Sequence, residues 1–201
     1  MKLKDLLNEE LAKSIKDLSI SKKFLEKEPT SKYWNDLGSG TFAIAYEPKK
    51  QIGNKVVKVL EIYDETDPSY QFLRLCKNHQ NNPFFPRIYN VKQYKNKGGV
   101  YNIVITMEKL FHIDETNPQL IAQLFGIPLD IGLTAQNIHT RFYDNKHRVV
   151  IAQSTQYPDL KKAMRLMEPL FNNYSPDVHA ENIMYRKTPN GPQLVFADPI
   201  N

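Results

Sequence analysis

The sequence predicts an α+β fold in two lobes: a five-stranded antiparallel sheet with one helix, then a smaller and mostly helical part. Three observations predict it. Runs of alternating apolar and polar residues, the mark of strands, gather between residues 33 and 107 around one helical stretch. Helix-period stretches predominate after residue 110. A last pair of short strands brackets Pro189-Asn190-Gly191-Pro192, a turn sequence. The expected divisions are residues 1–30, an N-terminal amphipathic helix; 31–110, the sheet lobe; and 111–201, the helical lobe.

Composition narrows the class. The chain has 201 residues and ordinary hydrophobic content, enough for a real core in one domain or two small lobes sharing a cleft. The single cysteine, Cys76, excludes an internal disulfide and suits a reducing cytoplasm. No apolar run approaches the roughly 20 residues of a membrane span, and the N-terminus lacks a signal-peptide apolar stretch. Net charge is +5, but the lysines are scattered apart from Lys92 to Lys97. That favours anionic partners mildly and is no nucleic-acid footprint, so no specific nucleic acid and no membrane is expected as partner.

The elements follow in order. Leu3, Leu6, Leu7, Leu11, Ile15 and Leu18 recur at three- and four-residue spacings, an amphipathic helix. Tyr33 to Glu47 reads as two strands around a Gly-Ser-Gly turn, because Phe42, Ile44 and Tyr46 alternate after the glycines. Lys55 to Ile62 alternates as a third strand. Lys58 there shares a face with Val56 and Leu60 and needs a partner, since burying an unpaired ammonium is costly. Pro68 to His79 is expected as a helix, Arg87 to Tyr94 and Val100 to Met107 as two further strands. Pro118 to Phe125, Leu133 to Phe142 and Asp159 to Phe171 are expected as helices, while Arg148 to Ile151 fits either strand or helix. His112, His139 and His147 are too dispersed to suggest a metal site.

The chemistry gathers at the C-terminal end. Asp177-Val178-His179-Ala180-Glu181-Asn182 places an acid, then an amide five residues on, before a strand; the hairpin returns to a second acid, Asp198. Phosphoryl transfer uses such a set: one carboxylate orients the attacking hydroxyl, while an amide oxygen and a second carboxylate hold magnesium. The plain alternative is an Asx-rich turn before a buried hairpin. Upstream, Gly38-Ser39-Gly40 can bring backbone amides close to phosphate oxygens, or can be a simple tight turn.

Taken together, these segments resemble the protein kinases in three parts and in the right order. Gly38-Ser39-Gly40-Thr41-Phe42-Ala43 is similar to the glycine loop, with alanine at the third glycine position. Val56-Val57-Lys58 is similar to the lysine strand, and Asp177 to Asn182 to the catalytic loop. The runs Leu37 to Tyr46, Pro86 to Val91, Asp177 to Met184 and Asp198-Pro199 resemble more closely the early serine/threonine protein kinases of phage T-seven and its relatives, which carry Asp-Pro in place of Asp-Phe-Gly. The resemblance spans residues about 33 to 200. It implies a protein-kinase-like two-lobed fold and a phage serine/threonine kinase acting on host transcription or translation proteins in the cytoplasm of the infected bacterium.

The resemblance also implies roles. The backbone of Gly38, Ser39 and Gly40 would cover the phosphates of ATP, and Lys58 would contact them. The backbone of Glu108 and Leu110 would hold adenine, with Met107 lining the back of the pocket. Asp177 would orient the substrate hydroxyl, Asn182 and Asp198 would hold Mg2+, and His179 would order the loop. Several departures stand against the pattern. Ser175-Pro176 replaces the usual His-Arg, so no activation-loop switch is expected. The helix after Lys58 has no acid; Asp64, Glu65, Asp67 or Gln71 are the candidates for the missing ion pair. The chain stops three residues past Asp198, so a truncated C-lobe is expected, its peptide-binding work passing to residues 111–158. Two other classes fit the same motifs: a small-molecule kinase of the aminoglycoside or choline type, and a pseudokinase that only binds nucleotide or a host protein. A homodimer through the N-terminal helix is a further expectation.

Overall fold

The computed structural model describes residues 34–39, 43–48, 54–95, 100–113, 118–179 and 181–200. The expected N-terminal helix, the tip of the Gly-Ser-Gly turn with Gly40, and Ala180 lie outside these residues. The chain is α+β and divides into two compact units, residues 1–64 with 91–106, and residues 65–90 with 107–201.

The first unit is built on strands β1 (Trp34–Ser39), β2 (Ala43–Pro48) and β3 (Lys55–Ile62), with most of β4 (Ile88–Lys95) and β5 (Tyr101–Glu108). They form one five-stranded antiparallel sheet in the order β1-β2-β3-β5-β4. β1 carries a bulge: Asp36 pairs with Tyr46 and Gly38 with Ala45, so Leu37 is the extra residue. Gly38 sits there at φ 140°, a backbone angle that side-chain-bearing residues rarely adopt. β3 is covered on both faces, with Val56, Val57, Val59, Leu60 and Ile62 buried, which is why the strand is so rich in valine.

The second unit holds α1 (Pro68–Asn78), β6 (Phe111–His112), α2 (Pro118–Phe125), a 3-10 turn (Leu129–Ile131), α3 (Ile138–Tyr143), α4 (Asn145–Ser154), α5 (Pro158–Asn173), β7 (Ile183–Thr188) and β8 (Gly191–Phe196). Its core joins Phe72 and Cys76 of α1 to Ile121 and Phe125 of α2, Phe142 of α3, Met164 and Met167 of α5, and Leu194 and Phe196 of β8. The compact units do not follow the expected division at residue 110: α1 buries its apolar face against α5 and groups with the helical unit. Apolar burial, not sequence order, decides the grouping. β6, β7 and β8 make a small antiparallel sheet, closed by a hairpin at Pro189-Asn190 where Gly191 takes φ 107°.

Most expected elements stand within one or two residues of their predicted ends. The exception is Leu133 to Phe142. Its first half is a turn, held by Asn137, whose side chain accepts from the Thr134 amide at 2.8 Å and donates to the Gly132 carbonyl at 2.7 Å. An Asn bonded to its own neighbouring backbone competes with helix, so α3 begins only at Ile138. The ambiguous Arg148 to Ile151 is helical. Its hydropathy is reversed: Arg148 is 4% exposed, while Val149 and Val150 are exposed. Arg148 donates to the carbonyl of Phe142 at 2.7 Å and to Glu168 Oε1 at 3.0 Å, and its guanidinium lies over the Phe171 ring. Among the described residues, no helix is long and apolar enough to cross a membrane.

Candidate active site

α5 delivers the chain into the loop that carries Asp177. The loop is pinned at both ends by backbone: the Asp177 amide donates to the Pro199 carbonyl at 2.8 Å, beside an isolated bridge between Pro176 and Ile200. The amides of Asn182 and Ile183 both donate to the His179 carbonyl at 2.9 Å, a turn that hands the chain to β7. Val178 points inward and is fully buried, so its neighbours Asp177 and His179 are held at the surface of the core.

Asn182 is the centre of the side-chain network. Its Nδ2 lies 2.9 Å from the Asp177 carbonyl, 2.9 Å from Asp177 Oδ2 and 2.9 Å from His179 Nε2. An amide has two hydrogens, and both go to the Asp177 oxygens, which can only accept. His179 sits against both groups: its Nδ1 accepts from the Glu181 amide at 3.3 Å, and its Nε2 stands 2.9 Å from Asn182 Nδ2 and 3.5 Å from Asp177 Oδ1.

Asp198 reaches the same place from the far strand. After β8, the amides of Ala197 and Asp198 both donate to the Asn182 carbonyl, at 2.9 and 3.2 Å. Asp177, Asn182 and Asp198 are thus tied to one another through backbone and side chain, although Asp198 comes from a separate strand end. Magnesium favours hard oxygen donors, one or two carboxylates together with phosphate oxygens. Asn182 has spent both amide hydrogens on Asp177 and has its side-chain oxygen left to offer, and the Asp198 backbone is bonded to the same residue, so this donor set fits the ion. Among the described residues, no three His, Cys, Asp or Glu side chains gather as metal ligands.

The other expected residues are placed as follows. Met107, Glu108 and Leu110 belong to the second unit and all three are buried. The Glu108 amide is already committed to the Arg87 carbonyl at 3.0 Å, so toward a base this residue has its carbonyl to offer. Gly38, Ser39 and Lys58 belong to the first unit. Lys58 is half-buried on β3, opposite Ala45 of β2, between the buried Val57 and Val59. Of the acids considered as its partner, Asp67 caps α1, accepting from the Ser69 and Tyr70 amides at 3.0 and 3.3 Å. Gln71 donates to the Glu65 carbonyl.

Two features escaped the sequence. His139, on α3, brings its Nε2 to 4.0 Å from Asp177 Oδ1, a meeting that only the folded chain creates. The Glu108 side chain forms a buried ion pair with Arg186 of β7. Arg186 Nε donates to Glu108 Oε2 at 2.6 Å, its Nη1 to the Pro83 carbonyl at 2.9 Å, and its Nη2 to the Phe85 carbonyl at 3.1 Å. A charge in a short strand was the only signal, and nothing in the sequence names a partner 78 residues away. No protein-family model and no curated protein matches this sequence.

Proposed function

We propose that this protein is an ATP-dependent serine/threonine protein kinase of the phage type, passing the γ-phosphate of Mg-ATP to bacterial host proteins. What supports this reading above all is the Asn182 side chain. Its amide nitrogen binds both the carbonyl and the carboxylate of Asp177, while the backbone carbonyl of Asn182 receives the amides of Ala197 and Asp198. These bonds draw together two acids and an amide from a loop and the strand end that follows it, which supports the roles that phosphoryl transfer would give them. The phage and host part of the proposal rests on the resemblance of the motifs.

In the proposed step Asp177 Oδ1 receives the proton of a Ser or Thr hydroxyl. The hydroxyl oxygen forms a bond to the γ-phosphorus, the bond to the β,γ-bridging oxygen breaks, and ADP leaves. Asn182 and Asp198 would hold Mg2+, which neutralises phosphate charge when bound. Asn182 meanwhile keeps Asp177 Oδ2 occupied, so that Oδ1 faces the acceptor. Positioning and charge neutralisation carry most of the rate.

The experiment is transfer of labelled γ-phosphate from Mg-ATP to bacterial lysate proteins, wild type against Asp177→Asn. Label on lysate proteins that disappears in the variant supports the kinase. Nucleotide-dependent thermal stabilisation with no label above the variant makes the protein a nucleotide-binding pseudokinase. Neither signal overturns both readings.

A further inference from the structure

We propose that His139 seats the acceptor hydroxyl together with Asp177, making α3 part of the binding site for the phosphorylated side chain; this rests on the phosphotransfer reading above. The carboxylate of Asp177 is divided between two tasks. Oδ2 is bonded to Asn182 at 2.9 Å, and Oδ1 is faced by the Nε2 atoms of His179 at 3.5 Å and His139 at 4.0 Å. The 4.0 Å gap between His139 and Oδ1 is too long for a hydrogen bond, but one oxygen atom making two bonds of about 2.8 Å spans it. A Ser or Thr hydroxyl is such an atom. It would donate its hydrogen to Asp177 Oδ1, accept one from His139 Nε2, and keep its second lone pair for the γ-phosphorus.

The surroundings suit a macromolecular acceptor. The His139 side chain is 51% exposed, and the ring of Tyr143, one helical turn on, lies 6.2 Å away and is itself largely exposed. Tyr143 neighbours the imidazole on α3, and half of the His139 side chain is exposed. In the transfer step the hydroxyl proton passes to Asp177, the new oxygen–phosphorus bond forms, and ADP departs. His139 keeps its hydrogen throughout and acts by position alone.

The test compares wild type, Asp177→Asn, His139→Ala and His139→Gln. Initial rates of label transfer from Mg-ATP are followed over a range of lysate protein concentrations, and ATP affinity is measured by titration with a fluorescent ATP analogue. His139→Ala should lower the dependence of rate on acceptor by about tenfold or more while ATP affinity stays within about twofold. His139→Gln, whose amide nitrogen reaches the Nε2 position, should recover at least about threefold of that loss. Both variants should melt with wild type, since the ring is half in solvent. Wild-type rates in His139→Ala, equal losses in Ala and Gln, or a loss matched in ATP affinity would overturn the proposed seat and leave the kinase reading intact. Absence of transfer by the wild type would overturn both.

Discussion

Arg186 and Glu108 form a buried, two-pronged ion pair between the β7–β8 hairpin and the end of β5, with side chains only 9% and 6% exposed. The same guanidinium binds the Pro83 and Phe85 carbonyls, and Glu108 Oε1 also accepts the Arg87 amide at 2.8 Å. One cation therefore satisfies the Pro83 and Phe85 carbonyls and fixes the side chain of the residue expected to meet adenine.

Breaking this pair from one side should be severe. Arg186→Met leaves a buried carboxylate without its counter-ion and the Pro83 and Phe85 carbonyls without their donor, a loss of about 3–5 kcal/mol in urea unfolding. Arg186→Lys should not rescue it, because an ammonium cannot reproduce the planar fork. Combining Arg186→Met with Glu108→Gln should cost less than the two single changes added, by about 1–3 kcal/mol.

A second buried arginine makes a graded contrast. Arg148 is 4% exposed, but its partner Glu168 is 35% exposed and can be solvated alone. Arg148→Met should cost about 2–3 kcal/mol through the lost bonds to the Phe142 carbonyl and Glu168. Glu168→Gln should cost less than about 1 kcal/mol, since water screens that side of the pair. Thermal unfolding of the two variants side by side checks the order.

Gly126 is closed to any side chain. Its φ is +58°, and a Cβ there would stand 2.4 to 2.8 Å from three atoms of the Tyr157 ring. Gly126→Ala should destabilise by about 1–3 kcal/mol, combining the unfavourable backbone angle with the displaced ring. Tyr157→Leu in the same chain should return part of the loss, which a melting series would reveal.

Asn182→Ala should separate folding from chemistry. The side chain is half-buried and its bonds go to Asp177, so stability should fall by only about 1 kcal/mol. Phosphotransfer should fall by about a hundredfold or more, and the magnesium concentration for half-maximal rate should rise, because an oxygen ligand and the grip on Oδ2 are lost together. Rates measured across a magnesium titration test both effects.

The lone cysteine gives a simple check on the core. Cys76 is 1% exposed on α1, inside the second unit. A thiol reagent should react with it slowly in buffer and fully in denaturant.

Local patterning determined much of this protein without help. Alternation in Lys55–Ile62 marks β3, the turn residues Pro189 to Gly191 mark the last hairpin, and the spacing of Leu160, Met164 and Met167 marks α5, because each is set by neighbours a few residues away. The nearness of Asp177, Asn182 and Asp198 was also legible, since a short hairpin brings its two ends together by necessity. What only the tertiary structure decided involves partners distant along the chain. α1 joins the helical unit because its apolar face meets α5. Arg148 turns inward past two valines because carbonyls and Glu168 await it there. Arg186 finds Glu108, and His139 comes beside Asp177, only through packing. A sequence records which groups need a partner; the fold decides which partner is within reach.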